Sequence, residues 1–259
     1  MRTASIVKIH ISFWIAAAVF WAAGLGHTFL TVAASVTAHE LSHILTARAF
    51  GCKVQGLKIS ALGEAAVIPG MDRLPAWKRT AILAAGPICN LLLWAIFGGV
   101  YNLVLFGFNM LPIFPLDGAR LFQIWMGNAK GIIRANRWCL CAGRVCCVVL
   151  MLLGVVQAAM FFPNITMLLA GAVLWRRNQD LQVDLAGEFY MAMLNKSGKP
   201  AKIIQAESYL PISEIIEKMG WDHSLIIKCK NAAVTEKDII LYIISGGDEG
   251  QSLSNAPLR

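Results

Sequence analysis

The chain has 259 residues, 57% of them hydrophobic and 15% charged, with a mean hydropathy of +0.61. Soluble domains hold roughly 45–50% apolar residues, so this composition excludes an ordinary soluble domain and points to a membrane protein. The formal charge of +8 is uneven: residues 1–182 hold 15 Lys and Arg against 5 Asp and Glu, whereas residues 183–259 hold 8 against 10. A basic, apolar part is therefore followed by a nearly neutral soluble tail. The bilayer, with its anionic lipid, is the expected partner of the basic residues; no nucleic acid is expected.

In chain order, a first apolar run covers residues 9–25 and a second covers 28–47, separated by Gly26 and His27. Together they predict a helical hairpin, since a span needs around 20 apolar residues. Arg2 and Lys8 before the first run also fit a signal peptide, but no small-residue cleavage site followed by a polar chain is found. Residues 53–60 alternate loosely and residues 64–69 end in Pro69 before Gly70, which predicts a short membrane-associated β-hairpin. A third run occupies residues 80–100. The fourth, residues 101–125, is interrupted by Pro112, Pro115 and Gly118 and is expected to be a broken helix. A fifth run at 138–161 and a short sixth at 165–175 complete the membrane part.

The expected fold is thus an all-α polytopic membrane protein with six transmembrane segments and a small α/β cytoplasmic tail. With six spans, Lys and Arg fall on one side, and the opposite loops contain none, so both termini are expected in the cytoplasm of a multi-pass protein. The domain plan is a membrane domain at 1–181, a small domain at 182–245 and a disordered end at 246–259.

The second run contains His39, Glu40, Leu41, Ser42 and His43. Residues four apart share a helix face, so His39 and His43 can present ring nitrogens to one metal ion. Glu40 is placed to act as a base on a water. Ionisable side chains in an apolar helix are costly, which favours a functional over a structural reading. A third ligand is needed, and Asp117, a lone carboxylate of the fourth run, is the candidate; the alternative is that it caps a helix starting near Ala119. Glu64 is less favoured because it lies in a basic connecting segment. Nitrogen and carboxylate ligands in an open hydrolytic site suit Zn2+, one per subunit. A metal-ion transporter could use the same ligands, but would not require Glu40 as a base. Cys139, Cys141, Cys146 and Cys147 lack zinc-knuckle spacing and are read as small apolar residues.

HELSH at 39–43, AAGPICN at 84–90 and NMLPIFPLDG at 109–118 resemble the signatures of the site-2 intramembrane zinc metalloproteases. The resemblance implies His39, His43 and Asp117 as zinc ligands, Glu40 as catalytic base, and Asn90 and Asn109 as residues that help position substrate or site. It implies a metalloendopeptidase acting on a membrane-associated protein. The opening KIHISFWIAAAVF, the six-segment plan and the tail resemble the bacterial sporulation branch. That branch implies a sigma-factor precursor as substrate, inhibitory membrane proteins as partners, and the mother-cell membrane around the forespore as location. The alternative is a general site-2 protease that cleaves anti-sigma factors or signal-peptide remnants.

The tail predicts a short amphipathic helix at 211–219, a strand at 224–229 and a helix from Glu236, which resembles part of a CBS domain. No second repeat is visible, so nucleotide binding is left open. The segment 56–69 could pair with an extended substrate by strand addition, with Leu57 and Ile59 as its contact points.

Overall fold

The computed structural model describes residues 6–54, 56–60, 63–71, 74–160, 164–194, 196, 200–205, 209–229 and 232–253. The chain divides into two compact units, Met1–Leu111 and Pro112–Arg259.

In the first unit, strand β1 (Ile6–Ile9) leads into helix α1 (Ile11–Ala22), whose N-terminus is capped by His10 accepting from the N–H of Ser12 at 3.2 Å. A tight turn through Gly24, at φ +76°, reverses the chain into α2 (Gly26–Ala49). Phe29 of α2 packs against both Phe13 and Phe20 of α1, with ring centroids 5.4 and 5.7 Å apart. Strands β2 (Gly56–Ser60) and β3 (Gly63–Val67) form an antiparallel pair, Leu57 opposite Ala66 and Ile59 opposite Glu64. They are followed by α3 (Ala76–Phe97) and α4 (Val100–Asn109).

The hairpin does not stand alone. β1 pairs with β2 in parallel, Val7 opposite Leu57 and Ile9 opposite Ile59, giving a three-stranded sheet of order β1-β2-β3. β2, which carries Leu57 and Ile59, is therefore central, with its hydrogen-bonding edges occupied by β1 and β3. A further strand can add only at β1 or β3, and β3 is the strand that packs against α2.

The second unit begins with α5 (Asp117–Lys130), a long antiparallel pair α6 (Ile132–Met160) and α7 (Thr166–Leu194), and ends in a small α/β layer. The α6–α7 seam is closed by glycines. A Cβ on Gly154 would meet the backbone of Leu168 at 2.4 Å, and one on Gly143 would meet Asn178 at 2.7 Å. Small residues let membrane helices approach closely. The α/β layer holds β4 (Ala201–Gln205), α8 (Ile212–Glu217), β5 (Ser224–Cys229), β6 (Ala232–Thr235) and α9 (Glu236–Ile244), with sheet order β4-β5-β6. Its core of Ile212, Ile216, Met219, Leu225, Ile227 and Ile239 also takes in Ile132 of α6 and Phe189 and Met193 of α7. α7 runs without interruption through residues 181–182 into this core. Within residues 246–253, the Gln251 carbonyl accepts from Ile212 N–H at 3.1 Å and Leu253 N–H donates to Leu210 at 3.1 Å. Residues 254–259 of the expected disordered end lie outside the described residues.

The layer is also fastened to the turn between α5 and α6. Asn128 donates to Asp222 at 2.9 Å, Arg134 pairs with Glu217 at 2.7 Å, and the N–H of Ile132 donates to the carbonyl of Met219 at 2.9 Å. Lys196 and Glu236 form a buried ion pair at 3.0 Å, and Lys196 also donates to the Gly220 carbonyl at 2.7 Å. Burial pushes the Glu236 carboxyl up from its ordinary range against the opposing pull of Lys196.

Two features of the expected fold are overturned. Among the described residues only two helices, Ala76–Phe97 and Ile132–Met160, are long and apolar enough to cross a membrane, not six. α1 has 12 residues, about 18 Å at ~1.5 Å per residue, against the ~30 Å of a bilayer core. α2 is long enough but polar around its histidines. The fourth apolar run divides at Met110–Leu116 into a 10-residue helix and the polar α5. The apolar start of α7 ends at Arg176 and Arg177. The second correction concerns the tail: a small open sheet of three strands with two short helices is not a CBS-like module.

The membrane assignment itself rests on exposure. The two candidate spans leave most of their apolar side chains uncovered by protein, including Ile96 and Phe97 of α3 and Leu152 and Met160 of α6. Contiguous apolar surface of this kind requires lipid. This is a membrane protein.

Candidate active site

His39 and His43 lie one turn apart on α2, which also carries Glu40, and both histidines are buried. Their Nε2 atoms are 3.1 Å apart, with the rings at 80°. Two nitrogens each about 2.0–2.1 Å from one tetrahedral zinc are separated by roughly 3.3 Å. The pair is thus spaced for one ion. The donor atoms of His39, Glu40 and His43 all lie within 4.8 Å of one another.

The neighbouring hydroxyls do not compete for this cluster. Ser35, Ser42 and Thr46 each donate to the carbonyl four residues earlier, at 2.9, 2.8 and 2.8 Å, and so satisfy themselves within α2.

Helix α3 packs antiparallel on α2 and supplies the rest of the site. The Nδ1–H of His43 donates to the Ile82 carbonyl at 2.7 Å. A carbonyl can only accept, so the His43 proton is on Nδ1 and Nε2 keeps its lone pair for a metal. At the other end, the side-chain nitrogen of Asn90 lies 3.0 Å from Nδ1 of His39, and Asn90 is fully buried. Cys89 contributes a long contact, Sγ to the Ala38 carbonyl at 3.7 Å.

Between these two anchors stands Gly86. A Cβ there would lie 2.3 Å from Nε2 of His43 and 2.6 Å from Nε2 of His39. It would also lie 2.6 Å from Cε1 of His43, so the backbone of α3 can pack against both rings only because residue 86 has no side chain. The spacing of the two Nε2 atoms and the free lone pair of His43 fit a zinc ion held by His39 and His43. Sequence reading did not single out Gly86 or the Ile82 carbonyl. The signal for the first was present: a Gly86-Pro87 pair inside an apolar run marks close backbone approach.

Among the sequence-predicted residues, His39, Glu40, His43 and Asn90 come together. Asp117 is the first residue of α5 in the second unit, half-buried, and Leu116 before it makes no side-chain cap. The helix thus starts at Asp117 itself rather than near Ala119. Asn109 closes α4, its Nδ2 donating to the Leu105 carbonyl at 3.1 Å. Leu57 and Ile59 lie on the central strand β2.

Comparison with known proteins places this geometry. Residues 27–101, which include all but the first residue of α2 and all of α3, match the family "Peptidase family M50". Rip3 of Mycobacterium tuberculosis is 32% identical over 164 residues, 54% of this chain and 41% of that protein. A zinc metalloprotease of Methanocaldococcus jannaschii is 24% identical over 158 residues, 54% of this chain and 44% of that protein. Stage IV sporulation protein FB of Bacillus subtilis is 26% identical over 152 residues, 51% of this chain and 52% of that protein. The chain therefore spans about half the length, or less, of these relatives. In fold it is similar to the solved site-2 protease from Methanocaldococcus jannaschii, with a TM-score of 0.52 and 20% identity, covering 67% of this chain and 89% of that one. The expected nearness to the sporulation branch is not supported, because its identity falls within the range of the other relatives. The His-Glu-His cluster on α2, the α3 segment packed against it and the match over both helices agree: residues 27–101 are similar to peptidase family M50.

Proposed function

We propose that this protein is an intramembrane zinc metalloendopeptidase of the general site-2 type, which hydrolyses a peptide bond in a membrane-embedded protein segment. The observation that carries the reading is the 3.1 Å approach of the His39 and His43 Nε2 atoms, with the Glu40 carboxylate within 4.8 Å of both and Gly86 packed against the two rings. His39 and His43 hold the ion, and Asp117 is the third ligand. When bound, zinc supplies a more acidic water and withdraws charge from the scissile carbonyl. Glu40 takes the proton of the attacking water and delivers it to the leaving amine. Asn109 helps to hold the site. Substrate adds as an extended strand at the β3 edge, next to α2, because both edges of β2 are taken. Unwinding is required first, since peptide bonds in a membrane helix are already hydrogen-bonded.

The substrate class is the membrane segment of a signalling protein such as an anti-sigma factor, or a signal-peptide remnant. Activation of a sporulation sigma-factor precursor is the narrower reading. Its support is the resemblance at residues 8–20 and a relative that is 26% identical, which is no stronger than the support for the general type.

The test is cleavage of a panel of membrane-tethered peptides, the sigma-factor precursor among them, by the full chain in detergent with zinc, beside Glu40→Gln. Cleavage by the native chain and a loss of at least ~100-fold in the variant, with zinc retained, is expected. A variant that cleaves like the native chain removes Glu40 from the mechanism. A chain that transports zinc and cleaves nothing is a transporter.

A further inference from the structure

Asn90 is fully buried, and its two amide ends have different fates. The nitrogen lies 3.0 Å from Nδ1 of His39, whereas Oδ1 is buried with no hydrogen-bond partner among the described residues. An amide N–H facing Nδ1 donates into its lone pair. The ring proton of His39 is then on Nε2, the atom that faces Nε2 of His43 at 3.1 Å. In that arrangement the two histidines share a hydrogen bond, and His39 has no lone pair to offer a metal.

Rotating the terminal amide by half a turn exchanges an oxygen and a nitrogen of nearly equal size. Oδ1 then accepts from Nδ1–H of His39, Nε2 gains the lone pair, and the oxygen is no longer without a donor. The partner ring already has this arrangement, because the Ile82 carbonyl accepts the Nδ1 proton of His43. The same helix thus provides one acceptor per ring, a backbone carbonyl for His43 and a side-chain amide for His39. Only the second can turn over, and only the second can be altered by mutation.

We propose that Asn90 is the positioning residue of the metal centre: it sets the tautomer of His39 by accepting Nδ1–H through Oδ1 when zinc is bound. The proposal rests on the zinc reading above and replaces contact with substrate as the role of Asn90. Metal-bound histidines regularly give their second N–H to a carbonyl or carboxylate, and loss of that acceptor costs about 10–100-fold in metal affinity.

The experiment is zinc affinity of the full chain in detergent, by competition with a chromophoric chelator, for the native protein, Asn90→Leu and Asn90→Asp. It is paired with the 15N imidazole spectrum of the zinc-loaded native protein. Expected are a 10–100-fold loss in Asn90→Leu and native or tighter binding in Asn90→Asp, whose carboxylate accepts the same proton. The spectrum of the native protein should show His39 protonated at Nδ1. Native affinity in Asn90→Leu, weak binding in Asn90→Asp equal to that in Asn90→Leu, or a His39 proton on Nε2 in the zinc-loaded protein overturns the proposal and leaves the zinc reading standing. Failure of the native chain to bind zinc overturns both.

Discussion

Gly86 and His43 approach so closely that a Cβ on the glycine would stand 2.3 Å from the imidazole Nε2. The contact joins α3 to the metal-binding face of α2 and makes the absence of a side chain at residue 86 part of the site. In Gly86→Ala, a methyl group would clash with both imidazole rings, so the rings must turn or α3 must move away. Zinc content of the purified protein, read by mass spectrometry of the metal, should fall from one per chain to below about one-tenth, because turned rings no longer hold their Nε2 atoms at the separation one tetrahedral ion needs. Helix content by circular dichroism should be retained. An alanine variant with full zinc would show that the helices part easily and that the ring positions are not set by this contact.

The proposed ligand set makes a separate prediction at Asp117. Replacing it with alanine leaves α5 without the acidic residue in its first turn, a change of about 0.3–1 kcal/mol in helix stability. If Asp117 is a ligand, zinc affinity falls by much more than tenfold in Asp117→Ala. An unchanged affinity in the same competition assay would remove Asp117 from the site and leave its role as a favourable charge at a helix N-terminus.

The junction between the α5–α6 turn and the α/β layer is sensitive at Gly131. Its φ of +94° with ψ of 150° is a conformation reserved for glycine, and a Cβ there would lie 1.7 Å from the Glu217 carbonyl oxygen. Strain of about 1–3 kcal/mol and overpacking of about 1–3 kcal/mol together predict a loss of roughly 2–6 kcal/mol for Gly131→Ala. A thermal melt of the variant beside the native chain measures it. A melting temperature within a degree of native would mean that the turn and α8 separate without cost.

His223 gives the layer a pH dependence of defined sign. Burial first, then the charges of Lys196 and Lys202, hold its imidazole below the ordinary value of 6.5, with Asp222 opposing. The unfolded chain therefore takes up this proton before the folded one. Its contribution to stability is complete above about pH 6.5 and is lost as pH falls from there through the folded value. Melting temperatures from pH 7.5 to 5.5 should fall more steeply in the native chain than in His223→Gln. Equal slopes would assign the acid sensitivity to other groups.

How much of this was legible beforehand depends on the range of each interaction. The pairing of His39 with His43 and the placing of Glu40 beside them follow from the helical repeat alone. The break around Pro112 and Pro115 is also local, since proline lacks the N–H that a helix needs. The six-span plan went wrong because apolar runs were counted without regard to where helices start and stop. α1 is too short, and residues 101–125 belong to two helices of different character. Strand β1, which meets the first apolar run only at Ile9, has no counterpart among the expected elements, so the central position of β2, and with it the covered edges of Leu57 and Ile59, could not be foreseen.

The sequence by itself determined a membrane protein with two histidines and a glutamate grouped on one helix at the spacing a metal site needs, because composition and an i, i+4 spacing need no knowledge of neighbours. Only the tertiary structure decided which ring nitrogens face each other and what packs against the two rings. Those answers come from Ile82, Gly86 and Asn90, which lie 39 residues or more from the histidines they touch. Backbone carbonyls and missing side chains carry no residue-type signal until the packing of two helices brings them to a ring.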